Sequence, residues 1–370
     1  PFPSLKKEGR QKNLLVRLQV VVKRERLSRI QDTMNVVFPK RIAILYSDAK
    51  REYFPTEQLF ISEVEVKERA GLVAKYLEKM KIEVALFPGD SELAENLKKF
   101  RPDFVLNLVD SVFGKEYLAA AIPGTLELLN IPYTGTGMMG LTISANKYFT
   151  KNLLRQRGIT VPKYQLITDP SQEIENELDY PLISKLNEVH GSIEIDESAI
   201  SHNEKALRKR LDFLMKTYKQ GVLLEEFIVG REITVIITEG INQKVYTGEK
   251  IFGGPFADKF KIVTFEANWN DDSAESNAIT YKKYEMPERA REMVKEAFDV
   301  LKMEDYGKFD IRLDESGRHY IIDANHNPTF GPKEVGCAMG TILNMYDISF
   351  EEILERLITN TVVGKEKKNE

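Results

Sequence analysis

The stretch KFDIRLDESGRHYIIDANHNPTF, Lys308 to Phe330, decides the reading of this chain. Two strand-like runs, FDIRL and HYIID, flank a DESGR turn. Each carries an acid where the alternation would suit an apolar residue: Asp310 in the first, Asp323 in the second, with Asn325 two residues on. On a strand, i,i+2 spacing puts Asp323 and Asn325 on one face. If the two runs pair, Asp310 can face the same point and three oxygen donors converge. Mg2+ is a hard cation that takes one or two carboxylates and fills its other positions with substrate phosphates. The same residues also suit strand-end acids making turn bonds, so the stretch alone leaves both readings open.

Upstream, VLLEEFIVGREITV (222–235) reads as a hairpin: alternating apolar residues, Glu225-Glu226, a glycine turn, then Glu232. Strand backbone from Glu226 to Ile228 offers N–H and C=O groups to a flat heterocycle, and a carboxylate such as Glu232 suits a ribose diol. Taken alone, a hairpin with solvated acids is the simpler reading. Lys147, in SANKYFTK, and Lys185, in PLISKLNEVHGS, precede polar loops. Lysine is a point charge suited to phosphate, and the connector from Asn187 to Ser192 could close over phosphates with its N–H groups. Each lysine could equally be an exposed surface cation.

Further out, strands alternate with helices. RIAILYS (41–47), IEVALFP (82–88) and DFVLNLV (103–109) read as strands, with a helix from about Ser62 to Met80 between the first two. This pattern implies a parallel sheet covered on both faces. The division that follows is a basic leader or extension at 1–34, an N-terminal α/β domain at 35–137, a central subdomain at 138–220, a C-terminal subdomain with the metal site at 221–350, and a C-terminal helix with a charged tail at 351–370. The fold class is α/β, α+β in part.

The bulk numbers are those of an ordinary globular chain: 370 residues, 42% hydrophobic, 30% charged, formal net charge -4. The charge does not mark the surface as a nucleic-acid footprint. A single cysteine, Cys337, excludes an internal disulfide and a cysteine-rich zinc site, and a reducing cytoplasm fits. No apolar run approaches the roughly 18 residues of a membrane span.

The individual signals are weak, but their order along the chain is specific. A lysine-bearing helix, a strand with Lys185 before a small loop, LLEEFIVGRE, and D-(x12)-D-x-N-x-N-P together resemble the ATP-grasp superfamily, and more narrowly the D-alanine–D-alanine ligases. TLELLNIPYTGTG (125–137) and SANKYFTKNLLRQRGITVPKY (144–164) carry the same likeness. The resemblance implies two α+β subdomains sandwiching ATP, and an enzyme that joins a carboxylate to an amine through an acylphosphate, releasing ADP. It implies that Lys147 and Lys185 hold phosphates, that Glu225, Glu226 and Ile228 meet adenine with Phe227 packed nearby, and that Glu232 binds ribose. Asp310, Asp323 and Asn325 would hold Mg2+, two ions in this family's manner, with Mn2+ able to serve. Glu65 would meet the ammonium of the first amino acid, although a helix N-terminal acid is an equal reading. Small amino acids or amines are the implied partners, with a homodimer common in the family and no role for nucleic acid or membrane.

Several positions depart from the family. Lys308 stands where an arginine precedes the first metal acid, keeping the charge and losing the bidentate fork. The loop after Lys185 is one residue longer; Ser192 keeps the first serine, and Glu194 or Ile195 falls where a glycine is expected. Trp269 replaces the lid tyrosine, as a cover over the pocket or as a packing anchor. Thr329 replaces a glycine, and Glu334, beside Lys333, falls near the serine that receives the second substrate's carboxylate. The ATP half thus looks intact and both amino-acid pockets rebuilt. The leading expectation is a carboxylate–amine ligase whose second nucleophile is larger or lacks a carboxylate. A true D-alanine–D-alanine ligase of peptidoglycan synthesis and a non-catalytic nucleotide-binding protein are the alternatives.

Overall fold

The computed structural model describes residues 38–239, 243–256 and 260–369. The basic leader assigned to residues 1–34 lies outside the described residues. The first unit contains β1 (Arg41–Tyr46), α1 (Glu57–Val64), α2 (Val66–Lys79), β2 (Glu83–Pro88), α3 (Leu93–Phe100), β3 (Phe104–Leu108) and α4 (Ala121–Leu128). β1 lies between β2 and β3, all parallel. Beyond Arg41, β1 and β3 are buried on both faces and apolar except at Asn107, as strands covered on both sides must be. The helix read from Ser62 to Met80 begins earlier and breaks at Glu65: Thr56 caps α1, accepting from the Leu59 N–H, and α2 starts at Val66. Pro123 falls in the first turn of α4, where its missing N–H forfeits no bond.

The second unit contains α5 (Met138–Ser144), α6 (Lys147–Gln156), β4 (Tyr164–Ile167), β5 (Leu182–Leu186), β6 (Ile200–Ser201), α7 (Glu204–Tyr218) and β7 (Val222–Glu226). Asn146 and Asn203 cap α6 and α7 with their side-chain oxygens. The sheet order is β4-β7-β5-β6, antiparallel, and Leu207, Leu211 and Leu214 of α7 pack on it. Residues 192–194 form turns.

The third unit contains β8 (Arg231–Thr238), β9 (Lys244–Phe252), α8 (Phe265–Trp269), α9 (Ala274–Asn277), β10 (Ile279–Lys283), α10 (Glu288–Val300), β11 (Tyr306–Leu313), β12 (His319–Asn325), α11 (Ala338–Met345) and α12 (Phe350–Asn369). Its sheet order is β10-β9-β8-β11-β12, antiparallel throughout. VLLEEFIVGREITV is therefore not a hairpin: β7 belongs to the second sheet and β8 to the third. Residues 227–230 carry the chain across. Gly230, at φ +153°, makes the crossing possible, because a Cβ there would sit 2.1 Å from the Leu313 carbonyl oxygen.

The third sheet has one apolar face. Ile233, Val235, Phe309, Ile311 and Ile321 pack against Val294, Ala297 and Phe298 of α10. The alternate residues of the same strands, Glu232, Thr234, Lys250, Asp310 and Asp323, form the opposite face. Among the described residues no helix is long and apolar enough to cross a membrane.

Candidate active site

The polar face of the third sheet and the end of the second enclose a cavity of about 520 Å³, lined by Lys147, Lys185, Glu225, Lys308, Asp310 and Asp323 among others. Cross-strand register creates the acidic point at its floor. Asp310 pairs directly with Asp323, and Lys308 with Asn325, with a bulge after Asp310. The FDIRL and HYIID runs thus pair, and Asp310, Asp323 and Asn325 all line the cavity.

Asp310 is buried and neutralised by its neighbours. Its Oδ1 accepts from Thr234 Oγ1 at 2.9 Å and Lys250 Nζ at 3.2 Å, and its Oδ2 from Lys308. Burial opposes ionisation, but Lys250 and Lys308 prevail and hold the carboxyl well below the usual range. Asp323 is held down against burial by Lys147, His190 and Lys308. Both carboxylates are therefore anionic at neutral pH. Among the described residues no cluster of three His, Cys, Asp or Glu side chains suits a metal. Two carboxylates and one amide are nevertheless the donor set of a hard cation that completes its shell with phosphate and water. By that donor chemistry the residues fit Mg2+, which would share the Asp310 oxygens with Lys250 and Lys308.

The lysines sort by what they hold. Lys185 Nζ donates to Glu225 Oε2 at 2.6 Å, and Lys151 Nζ lies 2.9 Å from Glu225 Oε1. Glu225 is 1% exposed, so its carboxylate is clamped between two ammonium groups at the cavity wall. Burial would raise its pKa, and the two lysines bring it below the ordinary value. Lys147 Nζ donates to the Val189 carbonyl at 2.5 Å, and burial lowers its pKa against the pull of Asp323 and Glu116. Glu226 turns its side chain outward to Lys163 at 3.0 Å. The Glu226 and Phe227 N–H groups are taken by the carbonyls of Lys163 and Pro181, which leaves the Ile228 backbone for a ligand on this edge. Glu232 is buried between Lys250 at 2.6 Å and Arg312 at 2.9 Å.

The sequence did not single out Lys151, Lys250 or Arg312. Lys151 follows Lys147 by four residues on one helix face, a spacing legible in advance. Lys250 and Arg312 become site residues only through register, since both sit opposite Glu232 on neighbouring strands.

The loop after Lys185 is fastened at every side. His190 donates its N–H to Glu116 Oε1 at 2.8 Å and its Nδ1 meets Oε2 at 2.6 Å. Trp269 Nε1 donates to the Gly191 carbonyl at 2.7 Å, and the Trp269 ring lies against the Gly191 Cα face. Trp269 thus reaches the loop backbone rather than the Ser192 side chain. Glu194 adopts φ +59°, a conformation that a glycine there would take freely. Tyr218 Oη on Glu194 Oε1 at 2.6 Å, Arg210, and the Gln58 side chain on the Glu194 N–H offset that strain.

At the amino-acid end, Glu65 is exposed at the start of α2 but lines the cavity. Glu63, two residues earlier and missed by the sequence reading, is the buried acid. Ser111 Oγ donates to it at 2.5 Å, and burial together with Asp110 pushes its pKa up to about 8. Asp110 is pushed up to about 6 by burial, restrained by Arg69. Thr329 lines the cavity. Lys333 and Glu334 do not: both are exposed and border a separate, smaller pocket beside Tyr76 and Phe350. Glu334 therefore does not stand in the cavity where the family's serine would meet the second substrate's carboxylate.

Residues 153–359, more than half of the chain, match the family model described as the D-ala D-ala ligase C-terminus. The chain belongs to the D-alanine–D-alanine ligase family. A D-alanine–D-alanine ligase of Carboxydothermus hydrogenoformans is 26% identical over 318 residues, covering 83% of this chain and 96% of that one. D-alanine–D-alanine ligase B of Chromobacterium violaceum is 29% identical over 234 residues, 63% of this chain and 72% of its own. Among solved structures, the Bacillus anthracis D-alanine–D-alanine ligase complexed with ATP superposes with a TM-score of 0.67 at 20% identity, covering 89% of this chain and 99% of that one. The VanG D-Ala:D-Ser ligase of Enterococcus faecalis gives 0.62 at 17% identity, over 87% and 99%. At these identities the likeness establishes the D-alanine–D-alanine ligase fold, an ATP-grasp architecture of mixed parallel and antiparallel sheets.

Proposed function

We propose that this member of the D-alanine–D-alanine ligase family is an ATP- and Mg2+-dependent ligase joining an amino-acid carboxylate to an amine. The observation that carries the reading is the pairing of Asp310 with Asp323 at the floor of a lysine-lined cavity. Asp310, Asp323 and Asn325 would hold the metal, which supplies charge neutralisation to the phosphates. Lys147 and Lys185 would bind phosphate oxygens, the 226–228 edge would meet adenine, and Glu232 the ribose. In the first half-reaction a substrate carboxylate oxygen attacks the γ-phosphorus. The bond to the β-phosphate oxygen breaks, and ADP leaves. In the second, the amine attacks the acyl carbon, phosphate departs with the C–O bond electrons, and the amine loses its proton. Lys308 would stabilise the developing negative charge as a point cation. Glu63, buried with Asp110, is better placed than Glu65 to receive an ammonium group.

Release of ADP and phosphate from Mg-ATP against a panel of D- and L-amino acids, singly and in pairs, with product masses, tests the reading. Turnover with D-alanine alone would identify a D-alanine–D-alanine ligase. Asp323→Ala should lower turnover roughly a hundredfold or more while leaving the unfolding transition intact. Near wild-type activity in that variant would remove Asp323 from the metal site.

A further inference from the structure

Arg69, on α2, is 8% exposed and lines the same cavity as Asp323 and Asn325. One edge of its guanidinium is held: Nη2 lies 3.3 Å from Asp110 Oδ2. Asp110 is itself held, its Oδ1 accepting from Asn327 Nδ2 at 3.1 Å, and Asn327 Oδ1 accepts from Tyr306 Oη at 3.2 Å. The Arg69 Nε–H has no hydrogen-bond partner. A buried, unsatisfied guanidinium N–H is costly, and buried donors are almost always paired. The remaining fork suits a carboxylate. The other cations of the cavity each face a partner on their own wall: Lys185 faces Glu225, Lys308 Asp310, Lys250 and Arg312 Glu232, and Lys147 the Val189 carbonyl, at the end read as the phosphate site. The loop after β12 presents Val335, Gly336 and Cys337 to the cavity and turns Lys333 outward, so it offers no side-chain cation of its own.

We propose that Arg69 anchors the spectator carboxylate of the amine substrate, which is therefore an amine bearing a free carboxylate, an amino acid or a peptide. This rests on the ligase reading; of the two sequence-based alternatives, it removes a second nucleophile without a carboxylate and keeps a larger one. Arg69 acts on specificity, not on the reacting atoms.

The experiment uses the full chain with Mg-ATP and a first amino acid that supports ADP release. Hydroxylamine, which traps an acylphosphate as a hydroxamate and carries no carboxylate, reports the first half-reaction. Competing acceptors are D- and L-alanine, alanyl-alanine, and the amides of alanine, with products resolved by mass; the alanine and alanyl-alanine arms separate amino acid from peptide. The wild type should favour acid over amide acceptors at least tenfold. Arg69→Met should abolish that preference and lower the ratio of condensation to hydroxamate at least tenfold, with the loss in acceptor KM. Arg69→Lys should restore part of the preference, and stands in if Arg69→Met does not fold. Hydroxamate formation with equal use of acids and amides, or a preference that survives in Arg69→Met, overturns the role of Arg69 and leaves the ligase reading standing. No hydroxamate with any amino acid overturns both.

Discussion

At the scale of the residue, Glu225 shows how a side chain can belong to a binding site without facing a ligand. Its carboxylate is sealed between Lys151 and Lys185, and Lys151 also donates to the Ile321 and Ile322 carbonyls at 3.0 and 3.1 Å. The acid therefore fixes where two ammonium groups sit beside β12. Buried pairs are poor sources of net stability, but removing one partner strands the other's charge, at about 3–5 kcal/mol. Glu225→Gln should lower the unfolding midpoint in a thermal or urea melt and raise the KM for ATP. An unchanged melt would mean that Lys151 and Lys185 find other acceptors. Asp310, Asp323 and Asn325 were legible in the sequence because period-2 alternation states which residues share a face. Lys250 and Arg312 were not, because partnership with Glu232 depends on which strands become neighbours.

At the scale of the element, turns and loops account for most of what the sequence left unread. The parallel first sheet followed from apolar runs alternating with helical spacing, and the break at Glu65 did not show in that spacing. The crossing at 227–230 looked like a hairpin because Gly230 serves a sheet change and a tight turn equally well in sequence. The loop 187–195 looked like a glycine-poor version of a flexible phosphate cover. Its fastening to Glu116, Trp269 and Tyr218 comes from three distant parts of the chain. Two bonds tie α8 to that loop: the Phe265 N–H donates to the Ile195 carbonyl at 2.8 Å, and Trp269 reaches the Gly191 carbonyl through its indole N–H. Trp269→Phe keeps an aromatic ring, a smaller one, and removes the donor. A neutral hydrogen bond contributes about 1 kcal/mol, so the KM for the amino-acid substrate should rise roughly fivefold. The KM for ATP should move less. Equal changes in both would show that Trp269 positions the nucleotide instead.

At the scale of the whole molecule, Asp305 joins parts that lie far apart in the chain. Its Oδ2 accepts the Gly135 N–H at 2.8 Å from the turn that leaves the first unit, and Thr361 Oγ1 of α12 at 3.1 Å. Its own N–H donates to Glu239 Oε2 at 2.7 Å, at the end of β8. Burial, with Glu239 and Glu304 nearby, pushes its pKa up to about 7, against the Gly135 and Thr361 bonds that favour the anion. The unfolded value is near 3.9. The folded state therefore holds this proton more tightly than the unfolded chain does. Its contribution to stability is complete below about pH 4 and is lost as pH rises through about 7. Asp305→Asn keeps an acceptor for Gly135 and a donor for Thr361 without a charge to bury. Glu63 and Asp110, pushed up to about 8 and about 6, titrate in the same window and keep part of the slope in both proteins. The informative quantity is thus the difference between the two unfolding midpoints. That difference should be small at pH 5 and grow in favour of Asp305→Asn by pH 8. A constant difference across the range would mean that Asp305 ionises in the folded protein as readily as in the unfolded chain, and that the junction holds a carboxylate rather than an acid.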